Sequence, residues 1–314
     1  MSFCIPCYNA GKYIKETIDS VLKQDYLNIE IIIVDDGSTD DTRFVLKEIK
    51  DPRVKWFLQE NMGAAAARNN AFRQSKGAYI KFMDADDLLN PTCIMVQLNK
   101  IIEHPNSVAS AKWGRFYLPD KSDFKLSPEK VWKDLPGIDW LVDSLIDTGA
   151  NMMQPGIFLM PRNVVEKAGP WNESLCLIDD FEYMVRIITN SEKVLFCEDA
   201  VLMYRSGLAN SLSGRDSTIN MRSALKSLQL GVAQILRTRN DSITRQACAN
   251  TYKRWAYQFY PAHKKMYNEL EHAIDSLGGS NTAMIAGRLF TILSKIIGWK
   301  NAKGLKIILT EKQT

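Results

Sequence analysis

Asp84-Ala85-Asp86-Asp87 is the sharpest chemical feature of this 314-residue chain. It follows an apolar stretch at 78–83 that reads as a strand. An Asp-x-Asp at a strand end can project two carboxylates toward one point. Hard cations such as Mg²⁺ and Mn²⁺ take oxygen ligands, usually one or two carboxylates plus substrate phosphates, so the spacing suits a diphosphate. A second acidic cluster, Asp35-Asp36, ends the β-branched run at 29–34. One such cluster reads equally well as a turn and a cap. Two, on strands of one sheet, point to a ligand edge. Pro6-Cys7-Tyr8-Asn9 ends a further strand at 3–6, at the same edge. Gly63-Ala64-Ala65-Ala66-Ala67-Arg68 adds a small-residue helix start with an Arg one turn in. Helix N-termini favour anions, although an Ala-rich run is by itself only a good helix.

These residues need a frame, and residues 1–100 predict one by alternating strand and helix signals. Strands are expected at 3–6, 29–34, 54–58 and 78–83. Apolar residues at helical spacing (Ile14, Ile18, Val21, Leu22) and the stretch at 63–75 fill the gaps. Pro91 is expected to open the next helix. The pattern predicts an α/β fold: a doubly wound, mostly parallel sheet with a mainly helical C-terminal extension. Pro119, Pro128, Pro136 and Gly137 mark 117–138 as a connector, with helices expected at 138–146 and 181–188. The domain reading is a nucleotide-binding half at 1–100, a second half of the same domain at 101–214, and a basic helical region at 215–314.

Composition is globular, with 46% hydrophobic and 24% charged residues, which excludes wholesale disorder. The formal charge of +4 is too balanced to make nucleic acid the expected partner. The charge is unevenly spread. Residues 215–314 hold 16 basic and 6 acidic side chains, leaving 24 basic against 30 acidic in 1–214. Met284, Leu289, Ile292, Leu293, Ile296 and Ile297 cluster in the basic part, broken by Arg288 and Lys295. A membrane-spanning helix is therefore not expected. The tail suits either peripheral membrane contact or packing on the catalytic part, and an oligomer is compatible with both. The chain opens into Ser2-Phe3-Cys4 with no signal-peptide pattern, so its six cysteines are expected to be reduced, buried thiols in a cytoplasmic protein. Cys4-x-x-Cys7 lacks a second pair at zinc spacing.

Several of these runs together resemble a known family. Ile5-Pro6-Cys7-Tyr8-Asn9, Ser20-Val21-Leu22-Lys23-Gln24, Val34 through Asp40, Asn61-Met62-Gly63 with Ala67-Arg68-Asn69, and Phe82 through Asp87 look like family 2 glycosyltransferases with the GT-A fold. The likeness covers residues 1 to about 205. It implies inverting transfer of a sugar from a nucleotide diphosphate donor, most simply a UDP-sugar, to a hydroxyl of a glycan or lipid-linked acceptor. It also implies a Mn²⁺ or Mg²⁺ cofactor. By position, Pro6 and Tyr8 would line the base pocket, Asp35 would accept a base N–H, and Arg68 would sit near the nucleotide. Asp84 would contact ribose and metal-bound water, and Asp86 would ligate the metal. Asp87 is a supporting residue or a cap for the helix near Pro91. The family's acidic pair corresponds to Asp179-Asp180, where Glu-Asp is commoner; Asp180 would be the catalytic base and Asp179 its support. Trp171-Asn172-Glu173 resembles the segment that floors the acceptor site, and Tyr204 through Ser213 the closing loop. Many members carry a His between those two segments, and this chain has none there.

Two other classes fit parts of the sequence. A sugar-nucleotide-binding module without transfer activity would not need Asp84, Asp86 and Asp180 together. A nucleotidyltransferase would be expected to show a Gly-rich, basic N-terminal loop, which residues 1–12 lack.

Overall fold

The computed structural model describes residues 1–208, 217–282 and 288–311. The chain divides into two units, Met1–Leu141 with Met152–Gln234, and Val142–Asn151 with Ile235–Thr314.

The first unit begins with the expected alternation: β1 (Ser2–Cys7), α1 (Ile14–Leu22), β2 (Glu30–Asp35), α2 (Thr42–Glu48), β3 (Val54–Leu58), α3 (Ala64–Gln74) and β4 (Tyr79–Phe82). The strands lie in the order β3-β2-β1-β4 and run parallel. Parallel neighbours need crossovers, which the three helices supply. Every residue from Ile31 to Asp35 is buried, which accounts for the unbroken β-branched run. This is the mostly parallel α/β frame that the alternation predicts.

The chain continues with β5 (Leu88–Leu89), α4 (Cys93–Ile101), β6 (Val108–Phe116), β7 (Lys125–Leu126), β8 (Leu135–Pro136), α5 (Gly137–Leu145), β9 (Met160–Pro161), α6 (Arg162–Ala168), α7 (Asp179–Thr189) and β10 (Lys193–Arg205). β9 adds antiparallel to β4, with Tyr79 opposite Pro161. A second sheet has the order β5-β10-β6-β7, and β8 also pairs with β10. The stretch expected as a connector thus contains the short strands β7 and β8. The long parallel pair β6 and β10 was not expected: Lys112, Arg115, Glu198 and Asp199 interrupt its apolar pattern, and the register shifts between Cys197 and Val201.

Gln97 on α4 ties the two sheets together. Its amide donates to the carbonyls of Ala109 (3.1 Å) and Ile157 (2.9 Å), and its oxygen accepts from the fully buried Lys81 Nζ at 2.9 Å. The ammonium needs such acceptors, because burial of an unpaired charge is costly. Burial pushes the Lys81 pKa down.

The remaining helices are α8 (Thr218–Thr238), α9 (Ser242–Phe259), α10 (Lys264–Ser276), α11 (Arg288–Ile297) and α12 (Trp299–Glu311). In the second unit Asp241 caps α9 by accepting the Thr244 N–H at 2.8 Å. Tyr257, Tyr260, Tyr267 and Trp299 form an aromatic cluster there. Met284 of the amphipathic run lies outside the described residues. Among the described residues no helix is long and apolar enough to cross a membrane. All six cysteines are free; five are buried, whereas Cys176 is exposed, unlike the expectation.

Candidate active site

The carboxyl edge of β1 and β2 is built by reciprocal hydrogen bonds. Asn9 turns the chain in a left-handed conformation (φ 50°). Its Oδ1 accepts the Thr39 N–H at 2.8 Å, and its own N–H donates to Ser38 Oγ at 2.9 Å. Pro6 is half-buried opposite Val34, and Tyr8 is exposed. Asp35 ends β2 with a fully buried carboxylate. Its Oδ1 accepts the Ser38 N–H at 2.9 Å and its Oδ2 accepts Arg43 Nε at 2.8 Å. Asp36 accepts the N–H groups of Met62 and Gly63, both at 2.8 Å, and so fixes the entry to α3. Asp40 accepts the Thr42 N–H at 3.0 Å at the start of α2.

The chain leaves β4 into the acidic turn. Asp84 Oδ1 accepts Arg68 Nη2 at 2.7 Å, and its Oδ2 accepts Gln154 Nε2 at 3.3 Å. Asp87 is fully buried; it accepts Gln154 Nε2 at 2.7 Å and the Arg205 N–H at 3.0 Å. It therefore does not cap the helix after Pro91. That helix starts at Cys93, preceded by Thr92. Asp86 differs: among the described residues no side chain donates to its carboxylate. Burial, then the charge of Asp84, pushes its pKa up to about 7. Burial, Asp86 and Asp84 push Asp87 well above the usual carboxylate range. Arg205 braces the turn from below. Its Nε donates to the Asp86 carbonyl at 2.9 Å and its Nη2 to Glu16 at 2.5 Å.

The acidic pair faces this turn through one guanidinium. Ile178, in a left-handed conformation (φ 49°), precedes α7, so Asp179 is the first helical residue and not its cap. Arg68 Nη1 donates to Asp179 Oδ2 at 2.9 Å while Nη2 holds Asp84. The Arg68 guanidinium lies 4.5 Å over the Trp171 ring, which stacks on Tyr183 at 3.8 Å. Asn69 clamps the same segment, exchanging hydrogen bonds with the Trp171 backbone at 2.8 and 2.9 Å and donating to Glu173 at 2.8 Å. Asp180 Oδ1 accepts the Phe181 N–H at 2.8 Å. A helix N-terminus alone would hold a carboxylate ionised. Here burial and the charge of Asp179 win, and the Asp180 pKa is pushed up to about 7. Burial also raises Asp179, against the lowering effect of Arg68.

The structure thus brings Arg68, Asp84, Asp179 and Asp180 together, with Asp86 and Asp87 on the adjoining turn. Pro6, Tyr8 and Asp35 stand at the carboxyl ends of β1 and β2, on the same edge of the parallel sheet. Cys7 lies between the two groups: its thiol is raised by burial first, then by the charges of Asp35, Asp40 and Asp86. Gln154 and Glu16 had no role assigned from the sequence, and Arg205 was noted only as part of the segment resembling the closing loop. Gln154 sits in an aperiodic stretch before Pro155-Gly156, and nothing local marks it. Ser211-Leu212-Ser213 of the expected closing loop lies outside the described residues.

Among the described residues no group of three or more His, Cys, Asp or Glu side chains forms a metal site. The free Asp86 carboxylate and the shared Asp84 carboxylate do fit a hard divalent cation whose other ligands are phosphate oxygens and water. Softer metals would want nitrogen or sulfur donors, and the acidic turn offers none.

A family model described as glycosyl transferase family 2 matches residues 2–167. Glycosyltransferase GlyG of Streptococcus pneumoniae serotype 4 is 32% identical over 219 residues, covering 65% of this chain and 70% of that protein. Glycosyltransferase GlyA of the same organism is 28% identical over 217 residues; the chain spans only 30% of its length. Among solved structures, S. aureus TarS 1-349 in complex with UDP-GlcNAc superposes with a TM-score of 0.67 at 18% identity, covering 88% of this chain and 80% of that one. That likeness speaks for the fold, a GT-A arrangement.

Proposed function

We infer the reaction from one premise: the chain belongs to glycosyl transferase family 2. It is a glycosyltransferase. The finer reading is an inverting transfer of a hexosyl or N-acetylhexosaminyl group from a UDP-sugar to a hydroxyl of a glycan or lipid-linked acceptor, in polysaccharide synthesis. The observation that carries it is the Arg68 bridge from Asp84 on the acidic turn to Asp179 beside Asp180. It sets the diphosphate-binding carboxylates next to a carboxylate with the proton affinity of a base.

Each residue then has a task. Tyr8 and Pro6 flank the base, and Asp35 accepts a base N–H through a lone pair that Ser38 and Arg43 leave over. Arg68 orients Asp84 and adds positive charge near the nucleotide. Asp86, helped by Asp84, would hold Mn²⁺ or Mg²⁺ against the diphosphate, and the cation would supply Lewis-acid stabilisation of the leaving-group charge. Asp180, with a pKa of about 7, takes the proton of the acceptor hydroxyl. The acceptor oxygen bonds to the anomeric carbon from the face opposite the diphosphate. The carbon–oxygen bond to the diphosphate breaks, UDP leaves, and the configuration inverts.

The basic charge of 215–314 and the exposed Ile292 and Ile296, one helical turn apart on α11, support contact with an anionic membrane surface from the cytoplasmic side. UDP release from a panel of UDP-sugars, with UDP-GlcNAc first because TarS binds it, tests the main reading. Release with Mn²⁺ and none with EDTA is expected. Full activity in EDTA overturns the cation assignment, and no UDP release with any donor or acceptor overturns the reaction.

A further inference from the structure

The acidic turn is crosslinked by a side chain that carries no charge. Gln154 is 4% exposed, and its one amide nitrogen serves Asp87 at 2.7 Å and Asp84 at 3.3 Å. The remaining oxygens of those carboxylates accept from Arg205 N–H and Arg68. Asp86 stands between them in sequence with no side-chain donor of its own. The Gln154 Oε1 is buried without a partner among the described residues.

The segment that presents this amide is rigidly tied. The Ile157 carbonyl accepts Gln97 Nε2 at 2.9 Å, and Leu159 exchanges backbone hydrogen bonds with Ala109 at 2.8 and 2.9 Å. Met160 pairs with Ile80 on the strand that leads into the turn. A Cβ on Gly156 would come within 2.7 Å of Gln154 Oε1, so the glycine leaves room for the amide where it sits.

Neighbouring carboxylates repel, and holding Asp84 and Asp87 together requires a shared donor. A lysine or arginine would supply the donor and cancel the charge. An amide supplies the donor and leaves the charge in place. We propose that Gln154 is a positioning residue for the divalent cation: its uncharged amide locks Asp84 and Asp87 in place while keeping the turn negative, so that Asp86 is left to bind the metal. This rests on the reading of Asp86 as the metal-binding carboxylate.

Calorimetric titration of Mn²⁺ into the UDP-saturated enzyme tests the assignment, with thermal midpoints measured alongside. Gln154→Met keeps the volume and loses the donor; Mn²⁺ affinity should fall about 10–100-fold, the usual cost of losing an outer ligand-orienting partner. Gln154→Lys restores a donor but adds a charge. It should melt no lower than the Met variant, yet bind Mn²⁺ no better. A purely structural role predicts the opposite, recovery of Mn²⁺ binding by Lys. Wild-type Mn²⁺ affinity in either folded variant overturns the proposal. So does a Lys variant that fails to fold, because a charged donor should hold both carboxylates at least as firmly. If the wild-type UDP complex takes up no Mn²⁺, the metal reading itself fails and takes this proposal with it.

Discussion

Arg68 donates to Asp179 at 2.9 Å and leaves the next residue, Asp180, without a side-chain donor. One carboxylate of the pair is therefore compensated and the other is not. Burial raises both carboxylates, but Arg68 holds Asp179, so we propose Asp180, pushed up to about 7, as the base. Asp180→Asn should lower kcat by about 10²–10⁴-fold with UDP affinity nearly unchanged. Asp179→Asn should cost less, through a looser Arg68. Side-by-side turnover and UDP titration decide; a dead Asp179→Asn beside a live Asp180→Asn reverses the assignment.

The pH profile follows from the same pair. As the proposed base Asp180 must be deprotonated to act, and its pKa is pushed up to about 7 by burial and then by Asp179. At saturating donor, kcat should rise with pH and level off above about 7. Removing the Asp179 charge removes one cause of the shift. The acid limb of Asp179→Asn should therefore move to lower pH, and a limb that stays in place or moves up would contradict this account.

Stability should run the other way with pH. Asp86 is raised from an ordinary 3.8 to about 7, so the folded state holds a proton that the unfolded chain has lost in that window. The sign is fixed: this stability is fully present below about pH 4 and is lost as pH rises through about 7. Glu16, Glu30 and Asp40 have lowered pKa values, so their contributions are lost only at acid pH below this window. Without metal or nucleotide, the thermal midpoint should fall by ~2–5 °C between pH 5.5 and pH 8. Asp86→Asn should reduce that fall without abolishing it, because Asp87, Asp179 and Asp180 are raised as well, and Mn²⁺ with UDP should reverse it in the wild type. An equal slope in Asp86→Asn would show that other groups cause it.

The acidic turn and the parallel strands were legible because their signals are local. A β-branched run ending in Asp35, or an apolar stretch ending at Asp84, announces both the strand and the acidic turn that follows it. Arg68 was singled out in the sequence, but not as a bridge from Asp84 to Asp179, because its partners are 16 and 111 positions away. Gln154 was missed for the same reason: its role exists only once β9 has paired with β4. The second sheet was missed because β6 carries charges on half-exposed positions and β10 on exposed ones, so neither reads as a continuous apolar strand. The raised pKa of Asp180 was not legible, since sequence shows the helix start but not the burial that outweighs it.

Asp35 presents a sharper test of base recognition than its position alone suggests. Its carboxylate is already held by Ser38 and Arg43. Asp35→Ala should weaken both UDP and uridine, since a base N–H and two protein donors lose their acceptor. Arg43→Ala should leave uridine binding largely intact if Asp35 itself meets the base. Calorimetry with uridine separates the cases: loss in Arg43→Ala equal to that in Asp35→Ala would mean that the ion pair only shapes the edge.

The proposed membrane contact of the tail makes a prediction with a distinct salt signature. Ile292 and Ile296 are 51% and 74% exposed, an unusual position for large apolar side chains on one helical face. Residues 215–314 carry 16 basic against 6 acidic side chains. Near an anionic leaflet each unpaired basic residue gains roughly 1 kcal/mol, and salt screens that gain within a Debye length of ~8 Å at physiological strength. Apolar insertion, in contrast, is not weakened by salt. Sedimentation with liposomes containing anionic lipid should therefore be strong at low salt and fall as salt is added, and neutral liposomes should bind far less. Ile292→Ser with Ile296→Ser should weaken binding at every salt concentration, because it removes the inserted part and leaves the charges. Binding to anionic and neutral liposomes alike would make the contact purely apolar. No sedimentation at low salt would leave a packing or oligomer role for the tail instead.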